Sequence, residues 1–264
     1  MEESARLSKP EREAVERAAA LIRDADRTVA LVGAGLSVES GIPPFRGPNG
    51  LWTRYGEPSM NGYMEFLRDP AGWWRELLEP SGPRAELLTA LRSAEPNAGH
   101  HALVRMERAG ELHCTITQNI DNLHARAGSR QLVEIHGNAT LLRCVQCRSR
   151  YPRDGFPVDV RALPPGCPEC AGLLKSDTVM FGEPIPGDVS LACERALESC
   201  DCMLLVGTSA SVYPAAGLAW SVLERGGSLV EVNPEETEAS DHCRVSIRAR
   251  SSEVLPLLAR RLEC

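Results

Sequence analysis

Residues 28–41 read TVALVGAGLSVESG, a β-branched and apolar run that stops at Gly33. Such a run is typical of a buried parallel strand, which is hydrophobic on both faces. The same arrangement recurs at 203–207, and shorter strand patterns lie at 112–117 and 228–232. Strands that alternate with helices predict an α/β fold with a doubly wound parallel sheet. Helical patterns lie between the strands, at 11–26, 85–93, 101–109, 188–199 and 215–225.

Two stretches interrupt this alternation and predict insertions into the sheet domain. Residues 48–96 are rich in proline, glycine and aromatic residues, whereas residues 144–175 hold two cysteine pairs and little periodicity. The second stretch has too few apolar residues to fold without a stabilising disulfide or metal ion. The predicted units are a discontinuous sheet domain (1–46, 97–142 and 177–264), a helical insertion (47–96) and a four-cysteine module (143–176).

Composition narrows the class of protein. The chain has 264 residues, of which 43% are hydrophobic and 25% charged, and its formal net charge is -7. These values are ordinary for a globular protein and argue against a broad basic surface for nucleic acid. No apolar run approaches the roughly 20 residues that span a bilayer, and the N-terminal stretch is charged rather than signal-like. We therefore expect a soluble, cytoplasmic protein with no membrane partner and no sequence-specific nucleic-acid partner.

Four of the ten cysteines form two C-x-x-C pairs, Cys144 with Cys147 and Cys167 with Cys170, separated by 19 residues. Two such turns complete a tetrahedral, all-cysteine zinc site without an open position for substrate. A redox motif is the main alternative, but it usually comes singly and beside a βα unit. The spacing predicts one structural zinc ion. Nearby arginines, including Arg143, are expected to form a solvated basic rim.

The glycine turn after the first strand, GAG at 33–35, lacks the third glycine of the dinucleotide fingerprint because position 38 is valine. A phosphate-binding turn and a plain tight turn are both compatible with it. A second turn, GTSAS at 207–211, also follows a strand, and Gln118, Asn119 and Asn233 end two others. Ligands collect at the carboxyl ends of parallel strands, so these ends suit a large polar ligand. His136, before Gly137, is either a poised base or a satisfied structural histidine.

Taken together, the motifs resemble those of the sirtuins, the NAD-dependent protein-lysine deacylases. The matching stretches run in the family's order over nearly the whole chain. They are GAGLSVESGIPPFRG (33–47), TQNIDNLHARAGS (117–129), EIHGN (134–138), the cysteine pairs, VMFGEPIP (179–186), GTSASVYPAA (207–216) and EVN (231–233). The resemblance implies a Rossmann-like NAD-binding domain, a smaller zinc-binding and helical domain, and a cleft between them for NAD and an acyl-lysine protein.

The resemblance also implies roles for individual residues. His136 would be the general base and Asn119 a catalytic partner. In the family mechanism the acyl-lysine amide oxygen attacks the nicotinamide ribose, and water finally releases lysine and O-acyl-ADP-ribose. Val179, Phe181, Gly182 and Glu183 match the loop that pairs with the substrate backbone. The NAD-contacting positions would be Gly33, Ala34, Gly35, Ser37, Gly41, Ile42, Pro43, Phe45, Arg46, Trp52, Gln118, Asn119, Ile120, Asp121, Gly207, Thr208, Ser209, Asn233 and Ser251.

One departure bears on the acyl group. Sirtuins that remove acidic acyl groups have tyrosine and, three residues on, arginine in the helix that lines the acyl pocket. Y-x-x-R occurs nowhere here, and the corresponding stretch 69–78 carries Trp73, Trp74, Leu77 and Leu78. We expect these side chains to favour acetyl and other apolar acyl groups over succinyl. The alternative is that both tryptophans are buried packing residues and that Arg75 reaches the acyl tunnel. Mono-ADP-ribosyl transfer or NAD hydrolysis on the same site, and a non-catalytic NAD or zinc module, are the alternative functions.

Overall fold

The structure, a computed structural model, describes residues 7–47 and 49–264. Residues 1–6 and Pro48, which belong to the predicted sheet domain and helical insertion, lie outside the described residues. Within the part of the chain that is described, no helix has both the length and the apolar character that a membrane span requires.

The helices and strands alternate over most of the chain, with a run of helices between the first two strands. The strands are β1 (Thr28–Val32), β2 (Cys114–Thr117), β3 (Leu132–Glu134), β4 (Leu141–Cys144), β5 (Arg150–Pro152), β6 (Leu174–Ser176), β7 (Cys202–Val206), β8 (Ser228–Val232) and β9 (Val245–Ile247). The α-helices are α1 (Lys9–Asp24), α2 (Leu51–Tyr55), α3 (Gly62–Arg68), α4 (Pro70–Leu78), α5 (Gly82–Ser93), α6 (Ala98–Ala109), α7 (Leu123–Ala127), α8 (Gly187–Leu197), α9 (Ala215–Glu224) and α10 (Ser251–Arg261).

The main sheet is parallel throughout and has the strand order β3-β2-β1-β7-β8-β9. The chain starts at the centre, builds outward on one side, and then returns to the centre to build the other side. This is the doubly wound order of dinucleotide-binding domains, and the strand order reverses between β1 and β7. The predicted fold class is confirmed, and the topology places a ligand crevice where β1 and β7 end.

Helices cover both faces of this sheet. Ala30 and Val32 of β1 face a core formed with α1, α6 and α10, whereas Val29 and Leu31 face a core formed with α8 and α9. All five residues of β1 are buried, as are all five of β7. The continuous apolar pattern that predicted these strands therefore reflects burial on both faces.

Several predicted boundaries were wrong by a few residues. Helix α1 begins at Lys9 rather than residue 11, because Ser8 and Glu11 form a capping box and Pro10 fits the first turn. Helix α6 begins at Ala98 rather than residue 101, since the Asn97 side chain accepts the amides of Gly99 and His100. The short strands β3 and β9 were missed because three-residue strands have no measurable periodicity.

The two insertions share one small core. Strands β5, β4 and β6 form an antiparallel sheet in that order, and α4 packs against it. Trp74 is 2% exposed and its indole Nε1 donates to the carbonyl of Leu174 at 2.7 Å. Burial of this tryptophan ties the helical insertion to the cysteine module, and truncating such a side chain costs about 3–5 kcal/mol.

Candidate active site

Two glycine turns touch each other at the ends of β1 and β7. The amide of Gly33 donates to Val206 O and the amide of Gly35 donates to Gly207 O, both at 2.9 Å. A Cβ on Gly35 would lie 2.7 Å from Gly207 Cα, and one on Gly33 would lie 2.7 Å from Gly207 O. Glycine is thus required at positions 33 and 35 by contact between the turns. The crevice is built around this contact.

Asn119, Ser37 and Asp121 form a buried polar chain beside the first turn. Asn119 Nδ2 donates to Gly33 O and to Ser37 Oγ, each at 3.1 Å. The Ser37 hydroxyl donates to Asp121 Oδ2 at 2.6 Å, and Leu123 N donates to the other carboxylate oxygen at 2.9 Å. Burial raises the pKa of Asp121, and the Ser37 hydrogen bond opposes that rise. These contacts fix three side chains that the sequence placed at the NAD site.

His136 lies at the exit of β3 with one ring nitrogen already committed. Its Nδ1 lies 3.1 Å from the carbonyl oxygen of Gln118. A carbonyl can only accept, so Nδ1 carries the proton and Nε2 of the neutral ring keeps its lone pair. Burial lowers the pKa of His136, and the Gln118 hydrogen bond opposes that change. The imidazole is therefore held as a neutral base near neutral pH.

The loop that follows His136 is closely packed against the strand exit from β6. Val179 N donates to His136 O at 2.8 Å. Gly137 has φ +75°, and a Cβ there would lie 2.1 Å from Asp177 O. The base and residue 179 of the expected substrate loop are thus joined directly through the backbone.

The expected cofactor loop crosses the crevice and is held at both ends. Ile42 is buried against Ala94 and Leu123, whereas Phe45 packs on Trp52 with ring centroids 5.1 Å apart. Arg46 lies 4.8 Å from the Trp52 ring and donates to Ser211 Oγ at 3.1 Å. These contacts link the loop to the second glycine turn. Gly41, with φ +89°, makes the bend that precedes Ile42 and Pro43.

The second turn joins the remaining polar positions of the crevice. Gln118 Nε2 donates to Thr208 Oγ1 at 2.8 Å, and Asn233 Nδ2 donates to Thr208 O at 3.0 Å. Ser209 Oγ lies 2.8 Å from Ser211 Oγ. Ser251 is buried in the first turn of α10, whose helix packs against Ala34–Leu36. Hydrogen bonds therefore unite Gln118, Thr208 and Asn233, whereas Ser251 is placed only by its helix.

Residues 179–183 pack against α3 on their other side. Tyr63 N donates to Phe181 O at 3.0 Å, and Trp52 contacts the Phe181 ring with centroids 5.6 Å apart. Glu183 turns inward: its side chain is 4% exposed and its Oε2 accepts from Met180 N at 2.9 Å. Val179 N and Phe181 O are thus paired within the protein, and the Glu183 carboxylate is used there as well.

The four predicted zinc ligands converge. Their sulfur atoms all lie within 4.8 Å of one another, with Cys144 Sγ 3.5 Å from Cys170 Sγ and Cys147 Sγ 3.6 Å from Cys167 Sγ. Zn–S bonds of about 2.3 Å in a tetrahedron separate the sulfurs by roughly 3.8 Å. Four thiolates leave no position for a substrate, so the donor set fits a structural zinc ion.

Two expectations about the small domain are now decided. Trp74 and Leu77 lie in its core, which is the alternative to an acyl wall, and Arg75 is exposed on the same helix. Arg143 is 5% exposed rather than part of a solvated rim. Alternation along β4 puts Arg143 on the face opposite Leu142 and Cys144, where Asp177 and Glu183 pair with it.

The sequence analysis gave Glu134 no role, although it lies two residues before His136. Burial raises the pKa of Glu134 to about 7, and Asn138 Nδ2 donates to its Oε1 at 2.8 Å. Its place in the EIHGN stretch was the available signal. Glu134 therefore lies close to His136 along the chain, but no hydrogen bond joins the two side chains among the described residues.

The comparisons with known proteins agree with this geometry. The model of the Sir2 family matches residues 33–214. The NAD-dependent protein deacylase 1 of Archaeoglobus fulgidus is 39% identical over 239 residues, covering 90% of this chain and 94% of that protein. An NAD-dependent protein deacetylase of Caldivirga maquilingensis is 40% identical over 247 residues, covering 92% and 91%.

Solved structures give the same result. A Sir2 homologue in complex with NAD superimposes with a TM-score of 0.79 at 38% identity, covering 94% of this chain and 93% of that one. A Sir2 mutant with a deacetylated p53 peptide and 3′-O-acetyl-ADP-ribose superimposes with a TM-score of 0.73 at 32% identity, covering 94% and 96%.

Proposed function

The chain belongs to the Sir2 family, and from this premise we propose that it is an NAD-dependent protein-lysine deacylase. It removes acetyl or other apolar acyl groups from lysine, releasing nicotinamide and O-acyl-ADP-ribose. The observation that carries the proposal is the neutral imidazole of His136, oriented by Gln118 at the end of β3. A non-catalytic NAD or zinc module would not need a base prepared in this way.

The crevice between the two glycine turns takes NAD, which supplies an electrophilic ribose carbon and a nicotinamide leaving group. Gly33, Gly35, Gly207 and Thr208 form the phosphate side, where glycine lets a ligand approach the backbone closely. The amides of Gly33, Gly35 and Gly207 already donate within the protein. Asn119 and Asp121, fixed through Ser37, form the nicotinamide side. The remaining NAD contacts are proposed at Ala34, Gly41, Ile42, Pro43, Phe45, Arg46, Trp52, Gln118, Ile120, Ser209, Asn233 and Ser251.

His136 acts as the general base through its free Nε2. It accepts a proton from the ribose hydroxyls, so that the 2′-oxygen can attack the alkylimidate carbon formed when the amide oxygen has displaced nicotinamide. The amide oxygen of acyl-lysine is a weak nucleophile, and alignment of reacting groups can contribute about 7–11 kcal/mol. The backbone of Val179, Phe181 and Gly182 supplies this alignment by pairing with the substrate as an added strand.

The decisive assay is mass spectrometry of NAD reactions with one peptide that carries acetyl, butyryl or succinyl on its lysine. Free lysine peptide together with O-acyl-ADP-ribose is the expected result. ADP-ribose without peptide turnover would instead indicate NAD hydrolysis, and a peptide that gains ADP-ribose would indicate transferase activity. Either result alone would overturn the deacylase proposal.

His136→Ala is expected to lower kcat about 10²–10⁴-fold, which is the usual contribution of a positioned base. NAD affinity, measured by calorimetry, should change little because the two glycine turns remain. His101→Ala provides the matched control, since His101 is exposed on α6. A folded His136→Ala enzyme with normal turnover would refute the assignment.

The remaining proposals concern organisation and location. We keep the division into a sheet domain (1–46, 97–142, 177–264), a helical insertion (47–96) and a zinc module (143–176). Its boundary at residue 143 cuts strand β4, which starts at Leu141. A cytoplasmic location is supported by the free thiols of all ten cysteines, four of which form the metal cluster.

A further inference from the structure

A cluster of charged side chains lies beneath residues 178–183, away from the cleft. Arg143 of β4 and Lys175 of β6 stand directly opposite each other in the antiparallel ladder. Lys175 is 0% exposed and Arg143 is 5% exposed. Like charges opposite each other in a ladder repel, and the repulsion grows when water is excluded. The pair therefore needs buried anions.

Two carboxylates supply the compensating charge. Glu183 Oε1 lies 2.8 Å from Arg143 Nη2, and Glu183 Oε2 lies 3.0 Å from Lys175 Nζ. Asp177 Oδ1 lies 2.8 Å from Arg143 Nε. Arg150 also pairs with Asp177, at 3.2 Å, and with Asp188, at 3.0 Å, so the extended cluster has three cations and three carboxylates. Glu183 contacts both Arg143 and Lys175. Loss of its charge would leave these two buried cations with only Asp177, which Arg150 shares.

The same cluster fixes both ends of the loop. Lys175 Nζ donates to the carbonyls of Ser176 and Thr178 at 2.8 and 2.7 Å, immediately before Val179. At the other end, Glu183 Oε2 accepts from Met180 N, and Glu183 N donates to Met180 O at 3.0 Å. The backbone between these two points is the segment assigned to substrate pairing.

We propose that Lys175 and Glu183 are positioning residues for the acyl-peptide, acting by holding the backbone of residues 179–182 in the conformation that pairs with it. This inference rests on the proposed deacylase function. Neither side chain touches substrate, since both are buried on the side of the zinc module. It also assigns the zinc module a role in peptide affinity, because Arg143 precedes the metal ligand Cys144 in β4.

The test compares Glu183→Gln and Lys175→Met with the control Glu107→Gln. Glu107 also accepts backbone amides, those of Arg130 and Gln131, but from α6 and away from the cleft. Steady-state kinetics with an acetyl-lysine peptide should show KM for the peptide raised tenfold or more in Glu183→Gln and threefold or more in Lys175→Met. KM for NAD should stay within twofold, and the control should change neither.

A double variant distinguishes a positioning role from a general loss of stability. Because Lys175 and Glu183 act on the same backbone, the combined substitution should raise the peptide KM no more than Glu183→Gln alone. Parallel rises in both KM values, or effects that multiply, would overturn the proposal. So would an unchanged peptide KM in folded Glu183→Gln.

Hydrogen–deuterium exchange separates this inference from the proposed function. Amides of residues 178–184 should exchange faster in both single variants, while those of 207–211 stay at the wild-type rate. If the wild type turns over no acyl-peptide, the deacylase proposal fails and the exchange result still decides whether the ion cluster orders this loop. If Glu183→Gln does not fold, Lys175→Met carries both measurements, and unchanged exchange there would refute the inference.

Discussion

Acid should destabilise this protein through two histidines buried in contact with each other. His100 of α6 and His124 of α7 are 0% and 2% exposed, and their ring centroids lie 4.9 Å apart. Among the described residues, neither nitrogen of His124 has a hydrogen-bond partner. Burial lowers the pKa of His100 to about 3 and that of His124 to about 4. Both rings are therefore neutral in the folded state at any moderate pH.

The sign follows from proton uptake on unfolding. Below a pH of about 6.5, the histidine binds a proton in the unfolded state but stays neutral in the folded state. The free energy of unfolding therefore falls as pH falls. The loss for His124 runs from about pH 6.5 to about pH 4 and amounts to roughly 3 kcal/mol, at about 1.4 kcal/mol per pH unit. Glu134 opposes it, because its raised pKa makes the folded state bind a proton in part of the same range.

A difference between variants removes the opposing contributions. The free energy of unfolding is measured in urea for wild type and His124→Phe, at intervals from pH 7 to pH 4. The value for wild type minus the value for the variant should fall by about 3 kcal/mol over this range. His101→Asn, which changes an exposed neighbour, should leave the pH dependence of wild type intact. Parallel curves for wild type and His124→Phe would refute the argument that burial keeps His124 neutral.

Three further outcomes follow from the geometry. Metal analysis should find one zinc per chain, and Cys170→Ser should lower Tm by on the order of 10 °C through lost folding free energy, whereas zinc in active protein at well under one equivalent would contradict this. Gly35→Ala should raise KM for NAD about tenfold, because its Cβ must displace Gly207 by a few tenths of an ångström or more, and an unchanged KM would show that the turns separate freely. Acetyl-peptide should exceed succinyl-peptide in kcat/KM by about one to two decades, since the sequence lacks the tyrosine–arginine pair that would hold the succinyl carboxylate. Equal efficiencies that fall in Arg75→Leu would show that this exposed arginine reaches the acyl group.

The sheet domain was predictable because its strands are buried on both faces. The run at 28–32 coincides with β1, where the apolar sequence is buried on both faces. Residues 228–232 coincide with β8 although they include Glu231, which is buried and paired with Arg248. Helix ends were less predictable. Capping by Ser8 and Asn97 extended two helices beyond the region that apolar periodicity marks.

The candidate crevice residues were predicted from motifs, and spacing alone could not have oriented them. The GAG turn was compatible with a plain tight turn, and contact with Gly207 explains its glycines without any ligand. His136 became a candidate base with a defined tautomer only when Gln118 O was placed beside Nδ1. Such pairings join residues that are 18 or more positions apart, and local periodicity carries no information about them.

The small domain shows where prediction of side-chain burial from the sequence fails. Trp73 and Trp74 were open to two interpretations, an acyl wall and core packing, and the arginines beside the cysteines were expected on a solvated rim. The sequence could not decide, because the groups that bury these side chains lie far away along the chain. Trp74 instead meets Leu174, 100 residues away, and Arg143 meets Glu183, 40 residues away. Both contacts depend on how α4 and residues 177–183 pack against the cysteine module. Because bound zinc would supply folding free energy to that module, we expect the metal to determine indirectly whether residues 178–183 have a surface to rest on. The four cysteines can be recognised from their spacing alone. Their proposed link to substrate binding follows only from the positions of the buried charges Arg143, Lys175 and Glu183.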